Sequence, residues 1–239
     1  MAGERRVRVW ALIVAAQDGE SLPSVAALCR AAVRRLGVDG AAVTAISSPV
    51  AREPLFATDE LSARLEELQF TTGEGPGAEN FRFGSPMLIP DLDSVGARWP
   101  GFVHAAVAAG ARAVFALPLQ AGAIQVGVLS LYRSQPGSLT PEELADVLVF
   151  ADIALEMVLD AAAGIARRTE HQPPGGLSAS RAEVYQAIGM ISVQLGVSLE
   201  DAFVRMRAHA YASGAGLGDV ADDVVHRRLR LEPDPEPQA

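Results

Sequence analysis

Hydrophobic residues in this chain follow two spacings. Where they recur every three to four positions they predict helices, and where they run in short branched blocks they predict strands. Helical spacing covers Arg5 to Ala16, broken at Asp18-Gly19, and then Leu22 to Leu36, with Ser21 ahead of it, Pro23 in its first turn and Gly37 at its end. Val25, Leu28, Ala32, Val33 and Leu36 form the inner face of that second helix. Ala41 to Ile46 predicts a strand and Pro54 to Ala57 a shorter one. Asp59 caps a helix through Leu61, Leu65 and Leu68, which gives way to a glycine-rich loop from Thr71 to Gly77. Met87 to Asp91 reads as a strand and Trp99 to Ala109 as a helix stopped by Gly110. Two apolar runs, Ala113 to Leu119 and Ile124 to Leu131, flank Gln120-Ala121-Gly122-Ala123 and predict a hairpin. Thr140-Pro141-Glu142-Glu143 opens a long helix to about Ala166, with Leu144, Leu148, Ile153, Leu155, Val158 and Leu159 available for packing.

Beyond that helix the pattern breaks. Thr169, Gln172, Pro173, Pro174, Gly175 and Gly176 cannot together continue it, so 167–179 is read as a linker. Helical spacing resumes over 180–230 in three short segments. Val184, Ala187, Ile188, Ile191 and Leu195 line the first, which ends at Gly196. Ser198 caps the second, where Ala202, Phe203, Met206 and Ala210 face inward. Leu217, Val220, Ala221, Val224 and Val225 line the third. The tail, 231–239, alternates proline with acid and is read as disordered. The chain thus divides into an α+β unit over 1–166, whose antiparallel sheet is flanked by helices, and a three-helix unit too small to bury much surface by itself.

Composition narrows the class. With 49% hydrophobic residues in 239, a substantial core is expected. No apolar run is long and uncharged enough to span a bilayer, and Trp10 to Ala16 is too short for a secretory signal, so neither a membrane nor export is expected. The single cysteine, Cys29, excludes an internal disulfide and fits a reducing cytoplasm; it is read as a small core filler. The net charge of -9 argues against nucleic acid binding over the whole surface. Over 180–230, six arginines meet six acids, so no strong uniform cationic footprint exists there either.

No constellation for catalysis is present, and the chain is read as a non-enzyme without cofactor. His104, His171, His209 and His226 are scattered without metal-ligand spacing, and His104 is taken as a helix-surface residue rather than a haem ligand. The loop from Gly73 to Gly77 lacks the lysine and the serine or threonine of a phosphate-binding loop. The pairs Glu66-Glu67 and Glu142-Glu143 are read as solvated acids on exposed helix turns. Phe81, Phe83, Phe102 and Phe115 are candidates to fill any small-molecule pocket between sheet and helices.

Two resemblances attach to these patterns. The C-terminal helices resemble the ANTAR domain, the RNA-binding output module of transcription antitermination regulators, at Ala187, Gly189, Met190, Glu200, Ala202, Phe203, Met206, Arg207, Leu217, Asp219, Val220 and Ala221. That family usually has a lysine where Ile188 stands. About Leu22 to Ala163 resembles a GAF domain, of the type that precedes ANTAR modules in actinobacterial regulators. The motifs that carry this are Gly73-Glu74-Gly75-Pro76, Pro90-Asp91-Leu92, Arg98-Trp99-Pro100, Ala116-Leu117-Pro118-Leu119, Gly127-Val128-Leu129 and Leu139-Thr140. Gly77 occupies a place where relatives often carry cysteine.

The resemblance implies a cytoplasmic GAF sensor, with an unknown small-molecule ligand in its pocket, controlling an ANTAR output that binds RNA hairpin loops. The residues expected to meet RNA are Arg207, Arg205, His209, Tyr185, Gln186, Ala187 and Gly189. Arginine pairs with phosphate or lies flat on a base, and Tyr185 or Tyr211 stacks an unpaired one. A homodimer is expected from the apolar faces of Arg5 to Ala16 and Thr140 to Ala163. The rival is an interaction protein that keeps the fold without RNA contact. A DNA-binding helix-turn-helix fits less well, because Asp219, Asp222 and Asp223 make the third helix acidic.

Overall fold

A computed structural model describes residues 2–18, 22–48, 50–162 and 177–232. The chain divides into two compact units. In the first, the hairpin around Gly122 forms the middle of a five-stranded antiparallel sheet. Its strands are β1 (Gly40–Ile46), β2 (Arg52–Ala57), β3 (Met87–Ile89), β4 (Ala113–Ala121) and β5 (Ile124–Arg133), in the order β2-β1-β5-β4-β3. Gly122 takes φ 61, the left-handed conformation that a tight hairpin turn demands.

Alternation along the strands sorts side chains to two faces. Ala41, Val43, Phe115, Leu117, Leu119, Leu129 and Leu131 lie in one buried cluster with α1 (Ala2–Ala15), α2 (Val25–Leu36) and α6 (Pro141–Ala162). Ala42, Val114 and Tyr132 lie in another with α3 (Glu60–Thr72), a 3-10 turn at Leu92–Val95, and α5 (Pro100–Ala108). Between α3 and β3 runs α4 (Pro76–Phe83).

Helix ends carry the predicted chemistry in three places. Asp59 accepts from the Ser62 amide at 2.9 Å. Thr140 and Glu143 form a reciprocal capping box, Glu143 N to Thr140 Oγ1 at 3.2 Å and Thr140 N to Glu143 Oε2 at 2.6 Å. Gly37 closes α2 in the left-handed region at φ 57.

Elsewhere the structure differs from the sequence reading. α2 starts at Val25, where Ser24 accepts the Ala27 amide at 3.2 Å; Ser21, the expected residue ahead of the helix, lies outside the described residues. The expected loop before β3 contains α4, whose Pro76 sits at the first helical position where a missing N–H costs nothing. On α6 the inner face is Val147, Phe150, Ala151, Ile153, Ala154 and Val158, whereas Leu148 and Leu159 are exposed. The end of that helix beyond Ala162 lies outside the described residues, as does the linker over 163–176.

The second unit holds α7 (Leu177–Leu195), α8 (Leu199–Ser213) and α9 (Leu217–Val225). α7 begins three residues ahead of the expected start at Ser180, so 177–179 belongs to the helix rather than to a linker. Val184, Ala187, Ile188, Ile191, Ala202, Phe203, Met206, Ala210, Leu217, Val220, Ala221 and Val224 are buried, so all three helices turn their predicted stripes inward, while Leu195 and Val225 at the helix ends are half-buried. The direction turns through 106° between α7 and α8. The chain after α9 is ordered to Glu232: Leu231 is buried and its carbonyl accepts from Gln194 Nε2. That corrects the tail reading for Leu231, while 233–239 lies outside the described residues.

Candidate functional site

In the first unit, polar groups gather on the sheet face beneath α3. Glu66 is buried, not solvated as expected for an acid on an outer turn. Its carboxylate accepts from Thr44 Oγ1 at 2.7 Å, from Gln69 Nε2 at 3.1 Å and from the Tyr132 hydroxyl. Burial first, and the Glu66 charge second, push the Tyr132 phenol well above its usual range.

The glycine-rich loop folds around Gln69. Gln69 Oε1 accepts the Gly77 amide at 2.6 Å. A Cβ on Gly77 would stand 3.0 Å from that same oxygen, so a cysteine there has little room. Gly75 has φ 115, and a Cβ on it would meet Gln69 at 2.9 Å and Phe102 at 3.1 Å. Glu74 Oε2 takes the Gly101 amide at the start of α5 at 2.8 Å. The amide at the head of α4 is therefore spent on a side chain of this domain, and the loop serves packing. Arg98-Trp99-Pro100 is explained by Glu79 on α4, which accepts from Arg98 Nε at 3.0 Å and Trp99 Nε1 at 2.8 Å. The Arg98 bonds hold the Glu79 carboxyl below its ordinary value despite desolvation, with Trp99 contributing.

The four phenylalanines expected as pocket fillers do not gather in one place; Phe81 and Phe83 line one cavity, and Phe102 and Phe115 lie elsewhere. Phe115 is buried on one face of the sheet, Phe102 on the other. Phe81 packs partly against a third cluster of Ile46, Ala116 and Val128, and Phe83 is 63% exposed. A cavity of about 480 Å³ lies where α4 ends against the β4–β5 hairpin, lined by Phe81, Arg82, Phe83, Gln120 and Gln125 among others. His104 is exposed on α5. Burial pushes the Cys29 thiol up to about 12, the nearby Arg30 opposing it more weakly, and the residue is fully enclosed in the core. Among the described residues no group of three or more His, Cys, Asp or Glu is placed to hold a metal ion, and no single helix is long and apolar enough to cross a membrane.

The second unit distributes the predicted RNA-facing residues unevenly. Arg205, Arg207 and His209 are all half-buried. Positions two apart on a helix diverge by roughly 160°, so Arg205 and His209 occupy one flank of α8 and Arg207 the other. The Arg207 guanidinium lies over the Phe203 ring, 3.8 Å from its centroid, and Phe203 is itself buried. On α7, Tyr185 and Gln186 are exposed and Gly189 is half-buried, with nothing within 4 Å of a Cβ built on it. Ala187 is fully buried against the other helices, so it is a core residue and not a contact. Ile188 is 2% exposed, so the place at which the family carries lysine faces inward here.

Sequence reasoning missed a short basic segment after α9. Arg227 has φ 58, the left-handed region otherwise left to glycine among the described residues. Arg228 anchors the turn through Asp223 at 2.7 Å and through Asp222. His226 Nδ1 stands 2.7 Å from Asp222 Oδ1. The run His226-Arg227-Arg228-Leu229-Arg230 was visible in the sequence, but a charge run does not show which of its members are neutralised.

Comparison with known proteins matches these two units to two families. The GAF domain model covers residues 23–155 and the ANTAR domain model residues 178–225. No curated protein matches the chain. Among solved structures, the chain is similar to the GAF domain of an Acinetobacter phosphoenolpyruvate-protein phosphotransferase. The identity is 12%, 70% of this chain and 98% of that one are covered, and the TM-score is 0.50. The GAF domain of the corresponding Coxiella burnetii protein also has 12% identity, with 69% and 97% covered and a TM-score of 0.50. At that identity the likeness establishes the fold alone, a sheet with helices on both faces. The chain belongs to the GAF domain family over residues 23–155 and carries an ANTAR domain over residues 178–225.

Proposed function

We propose that this protein is an RNA-binding transcription antitermination regulator, in which the GAF domain receives a signal and the ANTAR domain binds RNA hairpin loops. The observation that carries the reading is Arg207. It occupies an ANTAR motif position, and its guanidinium lies over the Phe203 ring, 3.8 Å from the centroid. A guanidinium against an aromatic ring keeps its charge, and arginine is the residue type suited to meeting phosphate or a base. Tyr185, Gln186 and Gly189 on α7, and Arg205 and His209 on the other flank of α8, are proposed as further contacts rather than as one patch with Arg207; Ala187 drops out. Loops rather than duplexes are the target because unpaired bases expose the edges a protein can read.

Signal receipt in the GAF domain alters its packing or its self-association, and a homodimer presents two ANTAR units to paired hairpins. Exposed Val7 and Val14 on α1, and Leu148 and Leu159 on α6, support such a dimer. The protein acts in the cytoplasm and performs no catalysis. The test is a gel shift at about 150 mM salt with a two-hairpin RNA, a loop-scrambled RNA and a perfect duplex. Preference for the intact loops, lost on Arg207→Ala, is the expected result. Equal binding to all three sinks the reading. The balance of six arginines and six acids over 180–230 favours one rival, a GAF–ANTAR interaction protein that does not contact RNA. Absence of binding to any RNA selects it.

A further inference from the structure

The outer face of α8 carries one feature that the fold does not use. Tyr211 is 86% exposed and Val204, seven positions earlier on the same face, is 56% exposed. Tyrosine has a large apolar body, and leaving it in water on an ordered helix forfeits the burial that most tyrosines find. Among the described residues its ring and hydroxyl have no partner. Its surroundings are small. Ala212, Ser213, Gly214, Ala215 and Gly216 follow it, all exposed, and a Cβ at Gly214 would meet nothing within 4 Å. Both faces of the ring are thus open at the end of α8.

Tyr211 also stands in a row. Phe203, Arg207 and Tyr211 recur every fourth residue, so they follow one ridge of the helix. The first is buried, the second lies on the first at 3.8 Å, and the third is in solvent one turn on. The Arg207 guanidinium thereby sits one turn from an open aromatic face. Unpaired bases in single-stranded loops bind surfaces of this kind, the ring stacking on the base and the cation meeting the adjoining phosphate. A protein partner fits less well, since the apolar area offered is a single ring and one valine between an arginine flank and a run of alanine and glycine.

We propose that Tyr211 is the base-stacking residue of the RNA interface, with Arg207 as its phosphate-binding neighbour. The proposal rests on the RNA-binding reading and adds the residue that holds a loop base.

The test uses the full chain and a two-hairpin RNA carrying 2-aminopurine in one loop, with Tyr211→Ala, Tyr211→Phe, Tyr185→Ala and Arg207→Gln. Because the ring is exposed, Tyr211→Ala should fold, which its circular dichroism melt verifies. It is expected to weaken binding roughly 5- to 100-fold and to abolish quenching of the 2-aminopurine. Tyr211→Phe keeps both. Tyr211→Ala leaves the salt dependence of binding unchanged, whereas Arg207→Gln lowers its slope by about one. If the wild type binds and Tyr211→Ala binds equally well, Tyr211 has no role in stacking and the proposal is wrong. It is equally wrong if Tyr211→Ala changes only self-association in sedimentation, which would make the ring a protein contact. Failure of the wild type to bind any hairpin overturns the RNA reading itself, and the stacking role of Tyr211 with it.

Discussion

The Tyr132 hydroxyl donates to the Glu66 carboxylate inside the GAF domain, joining β5 to α3 through two residues 66 positions apart. Thr44 on β1 and Gln69 on α3 donate to the same carboxylate, at 2.7 and 3.1 Å. Gln69 in turn accepts the Gly77 amide at 2.6 Å, so the network reaches from the sheet to the head of α4. The helices on this face are therefore placed by hydrogen bonds as well as by Leu65, Trp99 and Phe102.

Removing the acceptor should be costly. Glu66→Ala leaves three buried donors unsatisfied and is expected to destabilise the domain by about 2–4 kcal/mol. Glu66→Gln keeps the shape and one acceptor oxygen, and its amide nitrogen can donate to a hydroxyl turned to accept, so it should cost less. Adding Tyr132→Phe to Glu66→Ala removes one orphaned donor, so the double variant should lose less than the sum of the singles, with a coupling of about 0.5–3 kcal/mol. Urea denaturation of the four proteins measures it, and strict additivity would refute the contact. Tyr132 also sets an alkaline limit. Its folded pKa is raised by burial and then by Glu66, so the stability it contributes is present below the unfolded tyrosine value and is lost as pH rises past it. In a Tyr185→Phe/Tyr211→Phe background, absorbance at 295 nm should show Tyr132 ionising only together with unfolding.

Asp146 holds the N-terminal helix. Its side chain is fully buried, with Arg8 Nη2 at 2.8 Å, Arg35 Nη2 at 2.5 Å and Arg5 also bonded to it. Three arginines from α1 and α2 thus converge on one carboxylate of α6. Burial alone would raise its pKa, but hydrogen bonds from Arg5 and Arg8 and the charge of Arg35 outweigh that and leave it below the ordinary aspartate value. A depressed folded pKa stabilises at pH values above the unfolded one, and that stability drains away as pH falls through the folded value. Because the arginines are partly exposed, Asp146→Ala is expected to cost about 2–4 kcal/mol at neutral pH. The gap between wild type and variant should narrow below about pH 4. Thermal melts from pH 7 down to 2 test this, and a gap that stays constant rules it out.

Why some of this was readable and some not comes down to range. Capping at Asp59 and at Thr140 with Glu143, and the left-handed glycine after α2, are interactions over three or four residues, and the chain displays them directly. The inward stripes of α8 and α9 were equally local. Glu66 was not legible, because its burial depends on Tyr132 and Thr44, far away in the chain. Its neighbour in sequence, Glu67, is less buried, and nothing local separates the two. α4 escaped because Gly75-Pro76-Gly77 reads as a breaker, yet Pro76 begins the helix and Gly75 supplies a conformation other residues resist. The arginines of α8 looked like one patch since they are close in sequence; helical geometry separates them.

Gly75 supports that helix start. Its φ of 115 is strained for any L side chain, and a Cβ would meet Gln69 at 2.9 Å and Phe102 at 3.1 Å. Gly75→Ala combines backbone strain with a crowded neighbour, and about 2–4 kcal/mol of destabilisation is expected. Gly3, where a Cβ meets nothing within 4 Å, is the control. Hydrogen exchange should show faster exchange of the Gly77 amide in Gly75→Ala, since the bond to Gln69 Oε1 depends on this turn. An unchanged Gly77 rate with unchanged stability would show that the turn tolerates a side chain.

Ile188 bears directly on the proposed RNA surface of the ANTAR domain. The family usually places lysine there, and restoring it is the obvious first attempt to strengthen binding. In this chain the position lies at 2% exposure, within a stripe shared by Val184, Ala187 and Ile191. A lysine replacing it must either bury its ammonium, which disfavours the charged form, or bend its stem out to water and give up the packing of the isoleucine. Either route costs about 2–4 kcal/mol, from lost apolar contact or from desolvation. Ile188→Lys is therefore expected to lower the melting temperature of the C-terminal unit without adding a phosphate contact. The slope of log affinity against log salt reads that contact, since each new one steepens it by about one unit. Ile188→Met separates the two effects by keeping volume and apolarity, and should leave both stability and slope near the wild type. If instead Ile188→Lys steepens the slope at unchanged stability, the first helix turns that position outward when it binds, and the RNA surface must be redrawn around α7 rather than α8.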